Sequence, residues 1–353
     1  MGRRSPRAGP AREGPIERLR GLLLAHRVGG ADNPRLQNPV VLRGAGRVYA
    51  CAATDSARPA AAPECSSTGS PLTYPLTAII SDLHGNIPAL EVALADARQR
   101  GAGRYVCLGD VVGYGAKPRE CLDIVMKLCV PDARDPATSG GASGGVSKGA
   151  PELADGLCLQ GNHEYALLYS AEDFNPKARA AIDWTRDELN RDPDPDKTLA
   201  YWDFLDALEP TQCDEIAMFA HGSPRDPVRE YMLPRDIRDT EKMEANYGCM
   251  TRGVCFVGHS HVPAVYYEDG TLYRPRNTEG PYDLGDLVRN RAIVNVGSVG
   301  QPRDGDSRLS YGLFDGANMT FVRLEYDIET AAAAIRAVPE LPEFLADRLT
   351  VGR

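Results

Sequence analysis

A chain of 353 residues with 42% hydrophobic content can hold one large globular domain or two. Its formal charge of -9 and pI near 5.3 exclude a broad basic surface for nucleic acid, and no apolar run approaches the roughly 18 residues of a membrane helix. Gly21 to Leu24 is too short for a signal-peptide core, and nine cysteines, an odd number without short paired spacings, read as buried free thiols of a cytoplasmic protein rather than a disulfide framework.

Residues 1 to 75, rich in Arg, Ala, Pro and Gly and without Lys, read as a disordered extension with one short helix from Pro15 to His26. The texture changes at Leu76. Leu76 to Ser81 has the pattern of a strand, Asn86 to Arg98 of a helix with an apolar face, Arg104 to Leu108 of a second strand and Pro118 to Leu128 of a second helix. A run of Gly, Ser, Ala and Asp over 131–156 is a flexible insertion, and the Gly-Lys-Ser/Thr order of a phosphate loop is absent around Lys148. Leu157 to Leu159 resumes as a strand, Ala178 to Leu189 and Leu199 to Leu208 as helices, and Glu215 to Ala220 and Gly253 to Val257 as further strands. Beyond these, Ala264 to Tyr267, Thr271 to Tyr273, Ala292 to Val296, Leu309 to Phe314 and Thr320 to Tyr326 suggest antiparallel β structure, with helices at Ile328 to Ala337 and Pro342 to Arg348. Strands alternating with helices, with polar residues at the strand ends, define an α/β fold whose site lies on one rim.

Asp82 and His84 follow the first strand two residues apart, so both can aim at one point as the strand ends. Of six histidines, five (His84, His163, His221, His259 and His261) stand directly after an apolar run and beside Gly, Asn or His. Core histidines would not sort this way. With Asp82, Asp110 and Asn162 they form a set of N and O ligands without thiolate, which suits Mn, Fe or Zn. One ion would leave ligands unused, so two are expected, with Asp110 as the carboxylate between them.

In that order, Asp82-x-His84, Gly109-Asp110, Gly161-Asn162-His163-Glu164, His221 and Gly258-His259-Ser260-His261 resemble the motifs of the calcineurin-like metallophosphoesterases over residues 76 to 353. The resemblance implies two mixed β-sheets sandwiched between helices. It implies Asp82, His84 and His261 on one metal, Asn162, His221 and His259 on the other, Asp110 between them, and His163 as a substrate-facing catalytic group. Gly113-Tyr114-Gly115, the segment Phe219 to Asp226 and the segment Asn295 to Arg303 look like the small prokaryotic phosphoesterases related to the protein phosphatases. Where those phosphatases carry an Asp-Arg pair after the shared aspartate, this chain has Gly113-Tyr114.

The expected activity is hydrolysis of a small-molecule or nucleotide phosphoester, mono- or diester, by a hydroxide generated between two divalent ions. The alternatives are a protein phosphatase, a dinucleoside polyphosphate hydrolase, and a scaffold that keeps the fold without turnover. Beyond the ions, phosphate needs positive charge, and Arg303 and Arg225 are the nearest arginines in sequence; Asn86 is a further candidate for positioning substrate, and Tyr114 for packing the loop.

Overall fold

Short strands that are buried on both faces set the architecture. In the computed structural model, which describes residues 74–129 and 156–353, these are β1 (Thr77–Ile80), β2 (Arg104–Cys107), β3 (Leu157–Cys158), β5 (Ala217–Ala220), β6 (Val254–Val257) and β10 (Ala292–Asn295). All but β3 are at least three-quarters fully buried, as parallel strands covered on both sides should be. Around them lie β4 (Thr211–Cys213), β7 (Ala264–Tyr267), β8 (Leu272–Tyr273), β9 (Glu279–Asp283), β11 (Leu309–Phe314) and β12 (Asn318–Leu324). Two sheets of six described strands result, ordered β3-β2-β1-β11-β12-β9 and β4-β5-β6-β10-β7-β8.

Each sheet contains one parallel block. β1, β2 and β3 are parallel neighbours in the first sheet, and β5, β6 and β10 in the second. Antiparallel pairs flank both blocks, so the sheets are mixed, as expected. Ala292 to Asn295 corrects the expectation of an antiparallel strand: it runs parallel to β6, with Val294 opposite Phe256, and antiparallel only to β7. Its AIVN run is apolar on both faces, which is the mark of a central strand.

Alternation within the strands divides the core into layers. Ile79 and Val106 from the first sheet meet Val254, Phe256 and Val294 from the second, filling the space between the sheets. Ala78, Ile80, Tyr105 and Cys107 point the other way, against a helical layer. That layer includes α1 (Ile87–Gln99), α2 (Pro118–Cys129), α3 (Asn162–Leu168), α4 (Pro176–Asn190), α5 (Pro195–Ala207), α7 (Ile328–Arg336) and α8 (Phe344–Val351). On the far side, Cys255, Val257 and Ile293 pack on α6 (Thr240–Cys249) and the 3-10 helix Pro234–Arg238. The order is helix, sheet, sheet, helix.

The expected N-terminal extension and the insertion fall outside the described residues, save Tyr74, Pro75 and Gly156. Cys107, Cys121, Cys129, Cys158, Cys213 and Cys255 are free thiols. No helix among the described residues is long and apolar enough to cross a membrane.

Candidate metal centre

Both parallel blocks end on the same rim, and their ends deliver the polar residues. Asp82 and His84 follow β1, Asp110 follows β2, Asn162 follows β3, His221 follows β5, and His259 and His261 follow β6. To turn these side chains inward, the backbone leaves the ordinary regions. Six non-glycine residues among those described have positive φ, and five are Asp82, Asp110, His84, His259 and His261, at 48° to 61°. The sixth is Tyr114, which packs on His84. Left-handed backbone at such residues is costly and persists where the surroundings over-determine it, which concentrates it at functional sites.

The outcome is two overlapping groups of ligand atoms. One atom each from Asp82, His84, Asp110 and His261 lies within 4.8 Å of the others, and the same holds for Asp110, His221 and His259. Asp110 belongs to both. Asn162 joins the second group, its Oδ1 3.1 Å from His221 Nε2. All seven residues expected as ligands therefore stand at one place.

Backbone carbonyls decide which way the imidazoles present their lone pairs. His84 Nδ1 lies 3.1 Å from the carbonyl of Val112, His221 Nδ1 3.0 Å from Leu108, His259 Nε2 3.1 Å from Arg229, and His261 Nδ1 against Gln301. A carbonyl only accepts, so each of these nitrogens carries the hydrogen and the other nitrogen faces the cluster. Such outer contacts fix the tautomer of a metal-binding histidine. Burial lowers the pKa of His84, of His261 and of His259, the last to about 3, which keeps those inward nitrogens unprotonated.

His221 behaves differently for a local reason. Burial pulls it down, but the Asp110 carboxylate, 3.4 Å from its Nε2, raises it to about 9. Asn162 Oδ1 and His259 Nδ1, each 3.1 Å away, complete a ring of acceptors around that nitrogen. Those acceptors converge on one positive charge, and Asp110, Asn162, His221 and His259 would hold a dication in place of that proton. In the first group, Asp82 Oδ1 is buried without a hydrogen-bond partner, although His261 Nε2 is 3.1 Å away. Buried acceptors facing one another in this way fit divalent ions.

His163 stands beside the ligands. Its backbone N–H donates to Asp110 Oδ1 at 2.9 Å, and its Nε2 is 3.9 Å from Asp110 Oδ2. Burial lowers its pKa to about 4, and its Nδ1 has no hydrogen-bond partner. The ring is boxed by Tyr114, His84 and Phe174, at centroid distances of 4.4, 4.7 and 5.1 Å. Gly113 explains the departure from the phosphatase pattern: a Cβ there would lie 2.0 Å from His163 Nδ1, so the ring fills the space an aspartate side chain would need.

The three remaining candidates separate. Asn86 is used up structurally: its Oδ1 caps α1 at Ala89 N, and its Nδ2 donates to Gly300 O and Tyr326 Oη. Arg225 is held by Glu230, which accepts from its Nε at 3.0 Å, and the expectation of a phosphate contact gives way to that pair. Arg303 stays at the site. Its guanidinium lies 5.7 Å from the Tyr114 ring centroid, its Nε is buried without a partner, and its charge depresses His163 and His261.

Sequence reasoning gave no role to Glu164, yet this fully buried carboxylate accepts from the backbone N–H groups of Asp110 at 2.8 Å, Gly161 at 2.9 Å and Val112 at 3.2 Å. It holds the shared aspartate and the carbonyl that orients His84. Burial, then the nearby Asp110 charge, raise its pKa to about 7. An acidic residue inside an otherwise buried motif was the available signal. Tyr231, stacked on His259 with centroids 3.8 Å apart, was also missed, since a lone Tyr in a loop carries no pattern.

Two mixed sheets between helices, with aspartate and histidine clusters on the rim of their parallel strands, define the class as a metallophosphoesterase fold. The family model of the calcineurin-like phosphoesterases matches residues 76–263, and the chain belongs to that family. It is 34% identical over 284 residues to an uncharacterized protein of Methanocaldococcus jannaschii, across 79% of this chain and 98% of the relative. A metallophosphoesterase crystal structure from Sphaerobacter thermophilus is 34% identical, with TM-score 0.60 over 79% of this chain and all of that one. A hypothetical protein from Pyrococcus horikoshii shares the fold at 20% identity, with TM-score 0.56 over 79% of this chain and 98% of its own.

Proposed function

We propose that this chain is a metal-dependent phosphoester hydrolase that acts on a small-molecule or nucleotide ester and uses two divalent ions, of the Mn, Fe or Zn type. One observation carries the reading: two groups of buried ligand atoms share Asp110, with the imidazole lone pairs turned inward by backbone carbonyls. When bound, such ions lower the pKa of water from about 15.7 toward about 7 and neutralise phosphoryl oxygens.

The chain's own residues supply the rest. Asp110 sets the spacing of the two ligand groups, and Glu164 fixes Asp110 through its backbone. His163 is neutral at pH 7, and its Nδ1 meets no acceptor, which favours the hydrogen on Nε2, the nitrogen nearer Asp110. From there it donates a hydrogen bond to a phosphoryl oxygen as negative charge gathers there. Arg303, with no carboxylate partner among the described residues, adds positive charge for the phosphate. The protein-phosphatase alternative has less support, because the His163 ring occupies the room an acidic partner would need. A cytoplasmic setting accords with buried free thiols at Cys107, Cys121, Cys158 and Cys255.

Hydrolysis of aryl phosphate mono- and diesters with added Mn tests the reading. Turnover that a chelator abolishes is the expected result, and the ratio of the two rates assigns the ester class. Background rates with Mn, Fe and Zn alike would overturn it.

A further inference from the structure

Beside the ligand cluster a cleft of about 210 Å³ opens, floored by Asn162 and His259 and walled by Tyr165, Phe174 and Tyr231. Arg229 and Asp173 stand in its lining, 3.6 Å apart and both well exposed. The rings are ordered by their neighbours. Tyr231 lies nearly flat on His259, at 23° between planes, and is 44% exposed. Phe174 meets His163 edge-on, and the Arg229 guanidinium sits 5.1 Å from the Tyr165 centroid. Glu230 anchors the loop between Arg229 and Tyr231 by accepting from Ser223, Arg225 and Asn246.

A phosphoryl group has no use for three aromatic walls. What they suit is a flat ring, which stacks face to face or edge to face on aromatic side chains and guanidinium planes. Position decides which part of a ligand arrives there. Asn162 and His259 belong both to the ligand cluster and to the cleft floor, so an ester with its phosphorus at the cluster directs its organic substituent into the cleft. Arg229 and Asp173 then offer a donor and an acceptor to ring heteroatoms, which a nucleobase has and a plain phenyl ring lacks.

Resting on the hydrolase reading above, we infer that the cleft binds the planar ring of the substrate's organic group, a nucleobase, with Tyr231 and Tyr165 as specificity-determining residues. The test compares adenosine 5'-monophosphate with ribose 5-phosphate, which carry the same phosphate ester with and without the base, as competitors of aryl phosphoester turnover by the full chain with Mn. The base should lower the inhibition constant at least tenfold, about 1.4 kcal/mol. Tyr231→Leu and Tyr165→Leu should each bring the ratio of the two constants below threefold; the ratio cancels any change at the phosphate end. Equal constants in the unaltered protein, or a tenfold ratio that survives both substitutions, would overturn the inference. Phosphotyrosine as a third competitor identifies the source of the ring: tighter inhibition than by adenosine monophosphate would overturn the nucleobase and leave an aryl ester. If no aryl ester is turned over, the hydrolase reading fails, and calorimetric titration of the same compounds into the Mn-loaded protein still decides whether the cleft prefers a base.

Discussion

The floor of the site and its mouth are built by different means. At the floor, side chains leave the ends of short parallel strands, all but Asn162 are almost fully buried, and five of the seven sit on left-handed backbone, with neighbouring carbonyls and Glu164 fixing the site. At the mouth, Tyr165, Phe174, Arg229 and Tyr231 come from a short helix and from loops, and hold their places by ring stacking and ion pairs in partial solvent. The difference teaches where chemistry ends and selectivity begins. Changes at the floor should remove metal or turnover for every ester, whereas changes at the mouth should leave the metals and alter which ester is taken.

The sharpest way to break that division is at Asp110. Asp110→Asn should reduce bound metal below two per chain by elemental analysis and cost on the order of 10²–10³-fold or more in kcat; two metals with full activity would show that the two groups do not share it. His163→Ala should keep both metals and slow turnover roughly 100 to 1,000-fold. Glu164→Ala leaves three buried N–H groups without their acceptor and should cost about 3 kcal/mol in denaturant unfolding, together with weaker metal binding. A Glu164→Ala protein with unchanged stability and metal affinity would place the support of Asp110 elsewhere.

The smallest effect belongs to the loop behind the mouth. Burial pushes the Glu230 pKa up, but Arg225, Asn246 and Ser223 hold it down at about 2. A depressed carboxylate adds stability that is complete above its ordinary value near 4.5 and is lost as the pH falls through about 2. Glu230→Gln should therefore cost about 1 kcal/mol at pH 7, given its partial exposure, and the gap from the unaltered protein should close between pH 4.5 and 2 in unfolding titrations. Arg225→Ala should share that modest loss and leave KM for a phosphoester unmoved, unlike Arg303→Ala, which should raise it.

How far the sequence could be read follows the same division. The strands β1, β2, β5 and β6 are apolar runs that stop at a polar residue, so both the element and the ligand after it were visible together in Ile80-Ser81-Asp82 or Val257-Gly258-His259. Helix α3 was not, because its seven residues begin inside the Asn162-His163 motif and are too short for a helical period to show. Nor was α6, whose Thr240–Cys249 face presents only Met243, Asn246 and Tyr247 to the core. Arg225 looked suited to phosphate from its place after His221, but in the fold Glu230, five residues on, is its partner. Pairing across a loop leaves no periodic trace.

Left-handed backbone at Asp82, His84, Asp110, His259 and His261 has an evolutionary consequence. Each such residue burdens the fold by something of order 1 kcal/mol, which a glycine would not. A population selected only for heat resistance, with no demand for turnover, should thus discard these five letters early and drift toward sturdy, inert descendants. If the proposed reaction is what such residues serve, selection for it should keep them in place.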